Sequence, residues 1–277
     1  MIRQNLHMHS TFDDGRDSCK EMLEACRREG MTSAGVSLHS PMPFRNTWSP
    51  DRVRPFVDEM NGLQGTMGDF SVFTGIELDV LAAPEIPLAA FDYVIGAVHH
   101  LPIHDIPPAV DGSPEQTEAL LAHFGGDAQE VAVRYYEQMI RLAEHPSVDI
   151  VAHFDLFTKF DEKHHFFDPD APRVREAALR ALRAVTRAGK IVEVNTGAIS
   201  RGWRTSPYPA RSLLCALREM GGRVTIGSDA HACAGVACAF PEAEALVRAC
   251  GFSELWQLFP EQDGCVFLPV PLDRAGD

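Results

Sequence analysis

The chain has 277 residues, of which 45% are hydrophobic and 23% charged, an ordinary globular make-up with enough length to bury a sizeable core. A formal charge of −14 repels a phosphate backbone, and no apolar stretch reaches membrane-spanning length, so nucleic acid and membrane are excluded as first partners. The seven cysteines are odd in number and hold no Cys-x-x-Cys pair, which fits free thiols in a reducing compartment and a cytoplasmic protein.

The first predicted strand, residues 2–6, stops at His7 and His9. Alternation along a strand puts both imidazoles on one face and turns Met8 away, which makes a ready chelating pair. Ser18 and Glu21 then read as a capping box, opening a helix that faces Met22, Leu23 and Cys26 inward and ends at Gly30. A second strand, residues 34–38, stops at His39. Ser49-Pro50 opens a helix with Val53, Phe56, Val57 and Met60 on one stripe, and a third strand, residues 71–76, delivers Glu77.

Residues 91–98 form a nearly continuous apolar strand, as expected when both sheet faces are covered, and end at His99-His100. His100 should point away from the face that His99 uses. A proline-rich connection over residues 101–127 is long enough to serve as a lid or a surface insertion. A helix over about residues 128–143 precedes a strand, residues 148–152, that delivers His153 and Asp155. A charged loop over residues 158–170, holding Lys159, leads to a helix closed by Gly189. Residues 191–194 form the sixth strand, followed by a polar loop with Arg201 and Arg204. After a helix starting at Pro209, residues 223–226 form the seventh strand and end in Gly227-Ser228-Asp229-Ala230-His231. One more helix, about residues 241–250, precedes what reads as an irregular tail. Cys233 and Cys238 read as small buried hydrophobes rather than ligands. His104, His123, His145, His164 and His165 read as exposed or structural.

Strands alternating with helices argue for parallel strands, and seven such units with polar residues at the strand ends predict a single-domain (β/α)7 barrel over residues 1–277. A doubly wound open sheet would gather ligands at one switch point instead of around a ring. A lone histidine at a strand end is ordinarily a hydrogen-bonded core or surface group. Strand ends supplying His7, His9, His39, Glu77, His99, His153, Asp229 and His231 together would be costly to bury unless coordinated. Imidazole and carboxylate donors suit Zn, Mn, Fe or Co without choosing among them.

The segments NLHMHSTFDDG, SLHSPMPF, GIELDV, FDYVIGAVHHL, AHFDLFTKFDE, VEVNTGAISRG and GSDAHA, running from residue 5 to about residue 253, resemble the PHP (polymerase and histidinol phosphatase) family. Within it they are most similar to the bacterial histidinol-phosphate phosphatases. The resemblance implies a distorted (β/α)7 barrel, TIM-like, with three divalent metal ions, Zn, Mn or Fe, at the C-terminal ends of the strands. It implies one metal on His7, His9, Glu77 and Asp229, a second on Glu77, His99 and His153, and a third on Asp14, His39 and His231. Asp14 also reads as a turn residue before Gly15. Leu38 departs from the residue many relatives carry before His39.

The chemistry implied is hydrolysis of a phosphate monoester, L-histidinol phosphate, to L-histidinol and phosphate in histidine biosynthesis. Divalent ions in such a cluster clamp phosphoryl oxygens and lower the pKa of water. Glu77, Asp229, Arg201 and Lys159 are the residues expected to carry catalysis, with Arg201, Lys159 and Arg204 binding phosphate from loops on the same rim. The partner is thus a small-molecule phosphate ester, with the oligomeric state open. A nucleotide or oligonucleotide phosphoesterase is the alternative within the same chemistry. A non-catalytic metal-dependent module is the alternative outside it.

Overall fold

The computed structural model describes residues 2–44, 49–103 and 107–272, so His104 lies outside the described residues. Seven strands run side by side in chain order: β1 (Gln4–Asn5), β2 (Ser33–His39), β3 (Ser71–Asp79), β4 (Tyr93–Ala97), β5 (Ile150–Val151), β6 (Ile191–Asn195) and β7 (Arg223–Gly227). All six neighbouring pairs are parallel, with His39 opposite Glu77 and Asn195 opposite Gly227. A parallel bridge between Met8 and Ala230, with the His9 amide donating to the Ala230 carbonyl over 2.8 Å, nearly closes the ring. The expected barrel is what forms, and nearly every strand residue is buried, as both faces are covered.

The helices are α1 (Cys19–Arg28), α2 (Val53–Leu63), α3 (Pro114–His123), α4 (Ala128–Glu144), α5 (Asp161–His164), α6 (Pro172–Arg187), α7 (Gly197–Ser200), α8 (Arg211–Glu219) and α9 (Phe240–Ala249). The capping box of α1 is present: the Glu21 amide donates to Ser18 Oγ over 3.3 Å, and the Ser18 amide donates to Glu21 Oε2 over 2.9 Å. Between β3 and β4 there is only a 3-10 turn, Leu88–Ala90, so the alternation of strand and helix lapses once. The connection over residues 101–127 is not all loop, since Ser113 caps α3 within it.

Two apolar layers follow from strand alternation. Outward residues such as Met8, Val36, Val94 and Val192 pack against the helices. Inward residues Phe73, Tyr93, Ile95, Ala97, Ile150, Ala152 and Ile191 fill the barrel itself. Tyr93 lies across the floor, where a β-carbon on Gly35 or Gly75 would collide with its ring. Those two positions are glycine because the phenol needs the space.

The C-terminal segment is not the irregular tail expected. It is an antiparallel hairpin of β8 (Glu254–Glu261) and β9 (Gly264–Pro271). Leu258 joins the barrel's inner cluster, and Gln4 both donates to its carbonyl and accepts from its amide at 2.8 Å. The hairpin therefore plugs the barrel end opposite the histidines. Pro260 and Pro269 hide the strands in the sequence, while Asp263-Gly264, a tight hairpin signal, marks the turn.

Candidate metal centre

Strand alternation carries polar side chains inward at the C-terminal ends. On β2 the inward series ends at His39, on β3 at Glu77 and Asp79, and on β6 it includes Glu193 and Asn195. Glu77 sits at the focus. Its Oε1 lies 3.0 Å from His153 Nε2 and 3.4 Å from both His7 Nε2 and His99 Nε2. Its Oε2 lies 2.9 Å from His39 Nδ1 and 3.4 Å from His9 Nε2. Asp229 approaches from β7, with Oδ1 3.5 Å from His9 Nε2 and 3.7 Å from His231 Nδ1. Asp14 Oδ1 reaches His231 Nε2 at 3.2 Å and His39 Nε2 at 3.5 Å.

Among the described residues, donor atoms fall into four sets whose members lie within 4.8 Å of one another: His9, Asp14, His39 and His231; His7, His153 and Asp229; His7, His9 and Glu77; and Glu77, His99 and His153. All nine residues singled out from the sequence as donors thus come together, and Asp14 is among them. His9 also faces the Asp14 set, one donor more than the three expected there. His100 turns away, its Nδ1 2.9 Å from the Pro107 carbonyl. Cys233 and Cys238 belong to none of the four sets, although Cys238 lines the cavity.

Charge explains how such a cluster is tolerated. Burial opposes ionisation of Glu77, but His7, His99 and His39 hold its carboxyl well below the usual range. Burial likewise opposes charge on Asp229, and Arg201 and His7 outweigh it. Burial works against protonating His39, yet Glu77 and Asp14 hold its imidazole at about 9. His9 goes the other way, lowered by burial and by His39 beside it. His153 at φ +25° and Asp229 at φ +48° occupy the left-handed region, where strain gathers at functional sites.

Three carboxylates that the sequence reading gave no role stand behind the histidines. Asp13 Oδ2 lies 3.0 Å from His9 Nδ1 and accepts from the His39 amide at 2.9 Å. Asp79 Oδ2 lies 3.1 Å from His99 Nδ1 and accepts from the His99 amide at 2.9 Å. Glu193 Oε1 lies 2.7 Å from His7 Nδ1. Asp79 follows Glu77 by two residues on β3 and Glu193 interrupts an apolar strand, so parity and an acid inside a buried strand were the available signals.

A cavity of about 800 Å3 opens over the cluster, lined among others by Asp14, His39, His99, Asp111, Lys159, Arg201, Trp203, Asp229 and His231. Arg201 Nη2 donates to Asp229 Oδ2 at 2.8 Å. Lys159 Nζ donates to the Asp111 carbonyl at 2.7 Å and to Asp111 Oδ2 at 3.1 Å. Arg204, also expected to bind phosphate, is not among the residues lining this cavity: its guanidinium donates to Thr158 Oγ1 at 2.7 Å and lies over the Tyr208 ring. The 101–127 connection contributes Asp111 and Gly112 to the wall.

The donors fit divalent metal on the structure's own terms. His7 Nε2 and His9 Nε2 are buried without a hydrogen bond, a cost that coordination would remove. The carboxylates behind them hold ring nitrogens as second partners of metal ligands do.

Comparisons with known proteins bear on the family and the fold. The PHP domain matches residues 5–197. A protein of Schizosaccharomyces pombe named probable histidinol-phosphatase is 25% identical over 92% of this chain and 89% of its own. One of the same name from Deinococcus radiodurans is 28% identical over 88% of this chain and 92% of its own. A solved structure of histidinol phosphate phosphatase from Lactococcus lactis, complexed with zinc, L-histidinol and phosphate, covers 92% of this chain and 96% of its own with a TM-score of 0.71 at 19% identity.

Proposed function

The chain belongs to the PHP domain family, and from that premise we propose that it is a metal-dependent phosphomonoesterase hydrolysing L-histidinol phosphate to L-histidinol and phosphate, a step of histidine biosynthesis. The observation that carries the chemistry is one buried carboxylate, Glu77, surrounded by five imidazoles at 3.4 Å or less under a cavity edged by Arg201 and Lys159. The substrate follows from relatives named histidinol-phosphatases that match nearly end to end.

We assign His7, His9, Glu77 and Asp229 to one ion, Glu77, His99 and His153 to a second, and Asp14, His39 and His231 to a third, with zinc, manganese or iron suited to the donors. Metal held by these residues would supply positive charge against a phosphate dianion and would lower the pKa of water toward neutrality. Arg201 binds phosphate oxygens through its planar guanidinium, oriented by Asp229, while Lys159 adds a point charge in the same cavity. No covalent intermediate is needed. Ser200 Oγ lining the cavity donates to the Gly197 carbonyl at 2.8 Å, and burial raises the pKa of the Cys238 thiol, so neither is an activated nucleophile. A single domain over residues 1–277 and a cytoplasmic location accompany this reading, and no helix among the described residues is long and apolar enough to cross a membrane.

Complementation tests it most directly. Expression in a histidine auxotroph lacking this phosphatase should restore growth, and the purified metal-loaded protein should turn over L-histidinol phosphate faster than other phosphomonoesters. Failure to complement, with faster cleavage of a nucleotide ester, would redirect the substrate.

A further inference from the structure

We propose that Glu193 is a positioning residue for the metal centre, fixing the ring of His7 and the backbone of His153 at once, and that residue 227 is glycine to leave that carboxylate room. The proposal rests on the metal reading above but not on the identity of the ester.

Glu193 lies in the middle of β6 and is 1% exposed. Its Oε1 is 2.7 Å from His7 Nδ1. A carboxylate accepting there keeps a proton on Nδ1, so in the neutral imidazole that metal binding requires the lone pair would fall on Nε2, the nitrogen that faces Glu77 and Asp229. Its Oε2 accepts from the His153 amide at 3.2 Å and from Asn195 Nδ2 at 2.9 Å. The His153 bond bears on a residue whose φ of +25° a side-chain-bearing residue rarely adopts, and His153 Nε2 lies 3.0 Å from Glu77 Oε1. Asp13 and Asp79 hold histidines of their own loop or adjoining strand. Glu193 instead ties together donors that follow β1 and β5 from a third strand.

Gly227 stands beside Asn195 in the β6–β7 register. A β-carbon there would collide with Glu193 Oε1 and would also lie 3.1 Å from His7 Cβ. An alanine at 227 would therefore act first on the carboxylate, displacing it from His7, and only secondarily on the His7 β-carbon itself.

The expected effects are specific. Glu193→Gln keeps the shape, but its amide oxygen is drawn to the side with two donors, leaving the NH2 group against His7 Nδ1. That arrangement favours the Nε2–H tautomer, which cannot ligate. Zinc affinity measured by chelator competition should fall by about 10–100-fold, the loss usual for partners behind metal ligands. Ring 15N NMR of the zinc-loaded protein should show the His7 Nδ1–H form in the parent and its loss in the variant. Gly227→Ala should weaken zinc comparably, and combining it with Glu193→Ala should add little, because both act through the same carboxylate. Parent zinc affinity in Glu193→Gln, an unchanged His7 tautomer, or losses that add in the double variant would each overturn the proposal. These readouts do not depend on which ester is hydrolysed.

Discussion

At the scale of single residues the centre is organised by charge. Glu77 takes part in two of the four donor sets, so Glu77→Ala should release metal and lower kcat/KM by about three orders of magnitude, roughly 4 kcal/mol of barrier. Metal analysis beside steady-state kinetics checks it, and a variant that keeps its metal would remove Glu77 from the bridge. Lys159 touches Asp111 rather than a metal donor, so Lys159→Ala should raise KM about tenfold and move kcat less, the pattern of lost ground-state binding. Arg204→Ala should leave KM near the parent value, since Thr158 and Ser206 already take its donors. The donor residues other than Asp14 were legible in the sequence because they gather at strand ends, whereas Asp14 sits in the loop after β1 and was expected only from the family resemblance. Asp13, Asp79 and Glu193 were not, because an acid whose work is to hold another side chain carries no motif of its own.

At the scale of elements, strand periodicity located all seven barrel strands, but it could not say what fills the barrel. Tyr93 over Gly35 and Gly75 is a tertiary fit, and Gly75→Ala should cost about 1–3 kcal/mol by overpacking, read as a lower melting temperature. The hairpin escaped the sequence reading because its prolines break the strand pattern. Its place at the far end of the barrel makes a clean test: Leu258→Ala should cost about 2–5 kcal/mol while zinc content and KM stay at parent values. Loss of metal in that variant would show that the plug and the centre are coupled.

At the scale of the whole molecule, folding and metal binding share the same buried groups. In the metal-free protein His39 is held at about 9 against an ordinary 6.5, so its contribution is full below 6.5 and is lost as pH rises through 9. Glu77 and Asp229 are held below ordinary values of 4.5 and 3.8, so their contributions are present above that range and fade as pH falls below it. Melting temperature of the metal-free protein should thus peak between those limits and fall on either side. Metal loading requires neutral imidazoles, so the decline above 6.5 should vanish in the loaded protein. Chelation at neutral pH should lower stability by about 4 kcal/mol when free metal had stood a thousandfold above its Kd. The order of strands, the alternation that turns ligands inward and the identity of the donors were fixed locally, because periodicity and residue type are properties of short segments. Which donors face one another, which carboxylates steady them, that Arg204 turns aside and that the last strands plug the barrel depend on contacts between segments as many as 254 residues apart, and only the closed ring brings those together.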